Sequence, residues 1–457
     1  MPEGRCLGIG PSGNLQKEHR QEGDTVEVGN RKWMAPFFTI WTGQQLSIVG
    51  SRAAQFALVW WLTLETGSAT VLATASLVAF LPIILLGPFV GALVDRWNRR
   101  VVMIVADSFI ALVGLWLAFL FWSGSMQVWH VYIVMLARSF GETFHSPAMA
   151  ASTTLMVPQK HYTRISGLNQ TIHGLLNLVG APLGALLLAL MPLHGVMLFD
   201  VATAAFAVIP LLFIVIPQPK EEHIAAIKTS SFISNARDGL RFVLHWPGML
   251  VLLAGASVLK IVLMPAFSLF PLLVRNHFGG DAAEYSAFSV CVGVGMLLGG
   301  LLLSLWGGFK KKVYTILLGM LGLGAAALVL GLTPANLFWL GMVCVFLIGF
   351  AISLTDAPIA AIMQATVPPE MQGRVFGLLG SLFSLTTPIG LAIAGPIGDS
   401  MGIPFLFKVA GIICMGVAVT SLFIPAFRRI EEHGNDLPQG NADVGLASEP
   451  QGSMASD

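Results

Sequence analysis

The residues able to do chemistry in this chain are charges set inside long apolar runs. Arg52, Asp107, Arg138, Glu142, Asp200, Lys260 and Asp356 each interrupt a stretch that is otherwise nearly uncharged. A charge at the centre of a bilayer costs roughly 2.5–3.5 kcal/mol even on a lenient insertion scale, so each should face a partner or a wet cavity. Groups of this kind can take up and release protons, form ion pairs and recognise ligands. Arg138 and Glu142 stand four residues apart, hence on one helical face, and can pair with each other. In the functional reading of the same pair, Glu142 takes a proton or meets a cationic ligand, and Arg138 tunes it. His145 shares that broad face and reads as a hydrogen-bonded packing residue. Arg52 lies among Gln44, Gln45, Ser47, Ser51 and Gln55, which is too much polarity to face lipid and marks a cavity wall. Asp107 is expected to partner Arg96, Arg99 or Arg164, with proton coupling as its other role. Asp200 is expected to cap or pair near the start of its helix. Lys260, ahead of Met264-Pro265, and Asp356, ahead of Pro358, are the candidates in the second part of the chain. The candidates for ligand contact are thus Gln44, Arg52, Gln55, Arg138 and Lys260. Those for proton coupling are Glu142, Asp107 and Asp356.

The elements that must position these groups are membrane helices. The chain has 457 residues, 55% hydrophobic and 11% charged, with a mean hydropathy of +0.77. A soluble domain carries about 25% charged residues, so the class is an all-α polytopic membrane protein. An apolar run of about 20 residues spans a bilayer as a helix. Twelve such spans are expected, near 35–63, 70–94, 101–122, 129–153, 166–190, 194–216, 249–274, 282–306, 313–332, 335–357, 371–398 and 402–427. The domain reading is a tail at 1–33, a six-helix bundle at 34–216, a linker at 217–246, a second bundle at 247–428 and a tail at 429–457. A short amphipathic helix is expected in the linker, from Ser231 to His245. Residues 1–32 lack the apolar core of a signal peptide. The net charge of +1 gives no basic excess, so no nucleic-acid partner is expected. Cys6, Cys291, Cys344 and Cys414 are scattered, which speaks against a metal site or a disulfide framework. The sequence contains no G-x-S-x-G, H-E-x-x-H or P-loop pattern, so no enzyme activity and no cofactor are expected.

Lysine and arginine set the expected topology. With both termini in the cytoplasm, that side holds Arg31, Lys32, Arg96, Arg99, Arg100, Lys160, Arg164, Lys310, Lys311, Lys312, Arg374, Arg428 and Arg429. The other side keeps Arg275 beside the acids Glu65, Asp281, Glu284 and Asp399. This is a lopsided positive-inside pattern. The halves also repeat: Val157-Pro158, Arg164 and Gly167-Leu168 recur 210 residues later as Val367-Pro368, Arg374 and Gly377-Leu378. A repeat at half the chain length, with six spans each, implies a pseudo-twofold about the membrane normal. Trp and Phe near span ends, among them Phe37, Trp41, Trp60, Trp61, Trp116, Trp122, Trp129, Phe338 and Trp339, are expected to form interfacial belts.

Between the second and third spans stands Gly91-Ala92-Leu93-Val94-Asp95-Arg96-Trp97-Asn98-Arg99-Arg100. Gly91 would permit close helix contact, and Asp95 could cap a helix N-terminus. This G-x-L-x-D-R-x-x-R-R pattern resembles the corresponding loop of the major facilitator superfamily of transporters. The resemblance implies two six-helix bundles, a substrate site between them, and a conformational lock built from Gly91, Asp95, Arg96, Arg99 and Arg100. Ile40-Trp41-Thr42-Gly43-Gln44, Leu62 to Ala69, Ala75 to Pro82, Arg138-Ser139-Phe140-Gly141, Phe144 to Ala148 and Gly373-Arg374-Val375-Phe376 are similar to bacterial exporters of the macrolide-efflux type. Siderophore exporters share much of this pattern. Gly180, Pro182 and Gly184 resemble the Gly-Pro motif of antiporters in the superfamily, with Ala181 set between the Gly and the Pro. What the resemblance implies is export of amphipathic, macrolide-like small molecules by proton antiport, by a monomer in the inner (plasma) membrane, in contact with lipids. A siderophore or metabolite exporter, or a sensor that kept the fold without transport, are the rival readings.

Overall fold

The computed structural model describes residues 33–94, 96–218, 246–367, 369–428 and 430. The described residues form twelve long helices: α1 Met34–Thr66, α2 Ala69–Val94, α3 Arg99–Trp122, α4 Val128–Met156, α5 Tyr162–Leu190, α6 Leu193–Phe213, α7 Pro247–Ser268, α8 Ala282–Trp306, α9 Lys312–Leu332, α10 Phe338–Thr366, α11 Pro369–Met401 and α12 Ile403–Phe423. Nine of them are long and apolar enough to cross a membrane: α2, α3, and α5 to α10, with α12. In lipid an apolar segment can satisfy its backbone only within itself, so these runs are helical. The expected linker helix at 231–245 and both tails, 1–32 and 431–457, lie outside the described residues.

The turns are cut by local chemistry. Gly67 ends α1 in the left-handed region (φ +59°), its N–H returning to the Thr63 carbonyl. Such a C-terminal stop favours glycine, which has no Cβ to clash. At the start of α3 the Asn98 side chain accepts N–H bonds from Arg100 and Val101. Asn98 is thus the N-cap of α3, and Asp95, the cap candidate read from the sequence, lies outside the described residues.

Helix packing repeats with an offset of six. In the first bundle α1 packs on α5 and α6, α4 on α2 and α3, and α3 on α6. In the second, α7 packs on α11 and α12, α10 on α8 and α9, and α9 on α12. Across the two bundles α2 meets α11 and α5 meets α8, a pair of contacts that the same offset exchanges. The α1–α6 seam is tight because Gly43 and Gly50, seven residues apart, let α1 lie against Phe206 and Thr203. Without a hydrophobic drive between helices in lipid, such small-residue contacts supply the packing.

The hydrogen bonds, ring contacts and close glycine approaches between the bundles among the described residues lie at mid-depth or toward one end, where α1 turns into α2. At mid-depth Gly293 faces Leu178. Nearer the end the Tyr285 ring stacks on Phe56 and Trp60, with centroids 4.8 and 5.9 Å apart. At the end itself Asp399 and Asn276 bond to residues 67–70. Trp122 and Trp339 are well exposed, as a belt requires, whereas Phe37, Trp41 and Trp60 are buried and belong to the packing.

Candidate functional site

A cavity of about 440 Å³ opens midway along the first bundle. Its polar wall is made by Gln44, Ser47, Ser51, Arg52 and Gln55 of α1, Asp107 of α3, Arg138, Ser139, Glu142 and His145 of α4, and His173 of α5. Ala79, Ile83, Ile110, Met135 and Ala204 supply apolar patches. The spacing on α1 explains its share: positions 44, 48, 51, 52 and 55 fall on one face of a 3.6-residue helix. Four of the five candidates for ligand contact, Gln44, Arg52, Gln55 and Arg138, line this one space.

Two buried networks hold the wall. In the first, Arg138 Nη1 meets Asp200 Oδ2 at 2.5 Å, and Ser51 Oγ donates to Asp200 Oδ1 at 2.9 Å. Asp200 is buried, and α1, α4 and α6 are tied at one carboxylate. Arg138 is therefore paired across helices and not with Glu142 along its own. The i,i+4 neighbour lost to a group 62 residues away because a buried carboxylate gains more from a cation than an exposed one does. In the second network Gln44 Nε2 donates to Asp107 Oδ2 at 2.8 Å, and His145 Nε2 lies 3.3 Å from Asp107 Oδ1. All three side chains are buried. Asp107 is thus partnered by Gln44 and His145, and the arginine partners expected from the nearby loop are replaced by these.

Arg52 and Glu142 are the two charged cavity groups left with exposed side chains. Among the described residues neither makes a hydrogen bond or an ion pair. A site that holds out one cation and one anion can meet a charged ligand of either sign.

The antiporter-like motif sits behind this wall. A Cβ on Gly180 would lie 2.9 Å from the Arg52 Cβ, and one on Gly184 would lie 2.8 Å from the Phe56 ring. The two glycines let α5 close on α1, with Pro182 between them inside the helix. Gly180 thereby sets Arg52 in the cavity, and Gly184 sets Phe56 against Tyr285.

Lys260 does not line the cavity. It sits half-buried on α7, with Nζ 5.3 Å from the centroid of the Phe383 ring, and acts electrostatically on the exposed Asp356 of α10. Both belong to the second bundle, while every residue lining the cavity belongs to the first. The loop motif divides as well. Arg100 donates from Nε to the Leu211 carbonyl at 2.5 Å and from Nη2 to the Leu212 carbonyl at 2.6 Å. It thus closes the C-terminal end of α6, where a cation meets the helix dipole favourably. Arg99 is buried and Arg96 exposed. Among the described residues nothing lies within 4 Å of a Cβ built on Gly91. Among the described residues, the contacts between the bundles lie at mid-depth and at the opposite end.

The model of the transmembrane secretion effector family, a branch of the major facilitator superfamily, matches residues 34–444. The chain belongs to that family. Macrolide efflux protein A of Streptococcus pyogenes is 33% identical over 399 residues, which is 87% of this chain and 98% of that protein. A protein of the same description from Enterococcus faecalis is 34% identical over 325 residues, 71% of this chain and 100% of its own. Among solved structures, a crystal structure of the nucleoside transporter NupG superposes with a TM-score of 0.63 at 13% identity, over 84% of this chain and 100% of that one. That likeness carries the fold alone. This chain is therefore a major facilitator efflux transporter of the macrolide-efflux type, with the multi-pass helical fold of that superfamily.

Missing from the sequence reading were Asp200 as the partner of Arg138 and Asp399 as a contact between the bundles. A weak signal existed for each. Asp200 is a lone acid in an apolar run, and Asp399 closes a helix that is otherwise apolar at that end.

Proposed function

We propose that this transporter exports amphipathic, macrolide-like small molecules across the inner membrane by alternating access, driven by inward proton movement. The observation that carries the reading is the cavity: a carboxylate left free among the described residues at Glu142, beside a buried Asp107–Gln44–His145 network, on a scaffold whose relatives include macrolide efflux proteins. The lopsided lysine and arginine pattern supports placing both termini and the 91–100 loop in the cytoplasm. On that orientation the end where α1 turns into α2 is the outer end. The contacts between the bundles then close the outer path.

The proposed cycle follows from charge. A cationic amphiphile enters from the inner side, its apolar body against Ile83, Ile110 and Met135 and its charge near Glu142. The bundles rock, and the cavity faces out. A proton then takes the place of the ligand's charge on Glu142 or Asp107, which weakens the ligand's hold, and the protonated site returns inward. Binding energy need not drive chemistry; it has only to differ between the two arrangements. The second reading, a siderophore or other anionic metabolite exporter, is favoured by the exposed guanidinium of Arg52, unpaired among the described residues.

The deciding experiment loads cells expressing the chain with a labelled macrolide and, separately, with a labelled ferric siderophore. Lower macrolide accumulation that an uncoupler abolishes supports the first reading. Lower siderophore retention with macrolide accumulation unchanged supports the second. Macrolide efflux that persists with the proton gradient collapsed would remove the antiport step.

A further inference from the structure

We propose that Asp399 is the releasable catch of the outer gate, a carboxylate in one bundle that serves as the helix cap of the other. The first four N–H groups of any helix lack partners within it and need a cap. At the start of α2 the local cap is weak, since Ser68 Oγ lies 3.3 Å from the Val71 N–H. Asp399, at the far end of α11, completes it. Its Oδ1 accepts the Ala69 N–H at 2.5 Å, and its Oδ2 accepts the Thr70 N–H at 3.0 Å and the Ser68 hydroxyl at 2.9 Å. A carboxylate at a helix N-terminus is also favoured by the helix dipole.

The repeat makes this arrangement informative. The equivalent helix of the second bundle, α8, is capped by its own Asp281, which takes the Ala283 and Glu284 N–H groups, while Glu284 reaches back to the Asp281 N–H. One member of the pair is capped within its bundle, and the other is capped across the seam between bundles. Parting the bundles at the outer end leaves α8 intact and uncaps α2.

The seam is built for close approach around this contact. A Cβ on Gly395 would stand 2.9 Å from the Thr70 Cα, so α11 lies directly on the first turn of α2. Asn276 Nδ2 donates to the Gly67 carbonyl at 3.3 Å. Asp399 is exposed, so water can replace its donors when the seam opens. A cap of this kind shifts an equilibrium by about three- to tenfold, enough to bias a gate and not enough to jam it.

The inference rests on the alternating-access reading, and its readout is gate geometry, not efflux. Spin labels go at Leu64 of α1 and Met401 of α11, both exposed at the outer end of different bundles, in a chain whose four cysteines are replaced by serine. Pulsed electron–electron distance measurements are made at pH 7, with and without erythromycin. Asp399→Asn and Asp399→Ala are expected to move the ratio of long to short distances up by about three- to tenfold. Asp281→Asn, which removes a cap of the same chemistry inside one bundle, should leave that ratio unchanged. If Asp399 variants do not fold, Ser68→Ala, which removes one donor to Asp399 and keeps the carboxylate, gives the second arm: it should move the ratio in the same direction by a smaller factor. An unchanged ratio in Asp399→Asn, or in Ser68→Ala where that is the variant that folds, or an equal shift in Asp281→Asn, would overturn the catch. Two distance populations in the parent chain with no effect of Asp399 would sink the catch alone; a single population under every condition would sink alternating access as well.

Discussion

Arg138 on α4 and Asp200 on α6 meet at 2.5 Å in the interior of the first bundle, where Ser51 of α1 adds a third tie. Removing one partner of a buried ion pair leaves an uncompensated charge and costs about 3–5 kcal/mol. Asp200→Ala should therefore lower the thermal unfolding temperature and the yield of monodisperse protein in detergent. The double variant Arg138→Met with Asp200→Leu should recover much of the loss, because the stranded charge is gone. Single variants that melt with the parent chain would show that the pair does not hold these helices.

Gly180 of the antiporter-like motif packs against the Cβ of Arg52. Gly180→Val puts branched carbons where only 2.9 Å is open, so either α5 backs away or Arg52 leaves the cavity wall. Efflux should fall well below that of the parent chain. Gly174 on the same helix is the control, since among the described residues nothing lies within 4 Å of a Cβ there and Gly174→Ala should transport normally. Equal loss in both variants would mean that α5 tolerates no side chain for reasons unrelated to Arg52.

The proposed proton coupling through Glu142 and Asp107 has a thermodynamic signature. If proton and ligand exclude one another, ligand affinity must fall as pH falls, by the same factor by which ligand lowers proton affinity. Couplings of this kind run to about 5–150-fold. Erythromycin binding to the purified chain should weaken across the acidic range, and Glu142→Gln or Asp107→Asn should flatten that dependence. A slope unchanged in both variants would place the coupling proton elsewhere, with Asp356 beside Lys260 as the next place to look.

The helices and their duplication were legible because each is written locally. Apolar length gives the spans, and the Val157-Pro158 and Val367-Pro368 segments show the repeat without any coordinates. Three of the four ligand candidates in the cavity, Gln44, Arg52 and Gln55, converge there because polarity concentrated on α1 has only one place to go in lipid. What the sequence hid were partnerships between distant positions. Arg138 had a plausible neighbour at Glu142, and only the fold brings Asp200 closer. Asp107 stands near three arginines in sequence, yet Gln44 and His145 reach it in space. Lys260 resembled a cavity residue by burial in an apolar run, and the fold sets it over Phe383 instead. Asp399 is an unremarkable surface acid until α11 is seen lying on α2.

The last expectation concerns pH at the end where Asp399 lies, the outer end in the proposed orientation. Asp399 lies beyond the apolar run of α11. Partial burial pushes its carboxyl up, but the bonds from Thr70, Ala69 and Ser68 outweigh burial and hold it below the usual carboxylate range. When the bundles part there, those donors are lost and the group returns toward its ordinary value. A carboxyl depressed in the closed arrangement favours closure fully at pH above its ordinary value, and that contribution fades as pH falls through the depressed one. Acidifying the outer side below the ordinary carboxylate range should therefore open the gate in the parent chain. Glu65, Asp281, Glu284 and Arg275 share that end with Asp399, and His277 is held at the Thr333 carbonyl. The difference between the parent and Asp399→Asn isolates the catch: the variant should already be shifted at pH 7 and respond less to acid. Identical acid responses in the two chains would assign the pH dependence to the other carboxylates and leave Asp399 with no electrostatic part in closure.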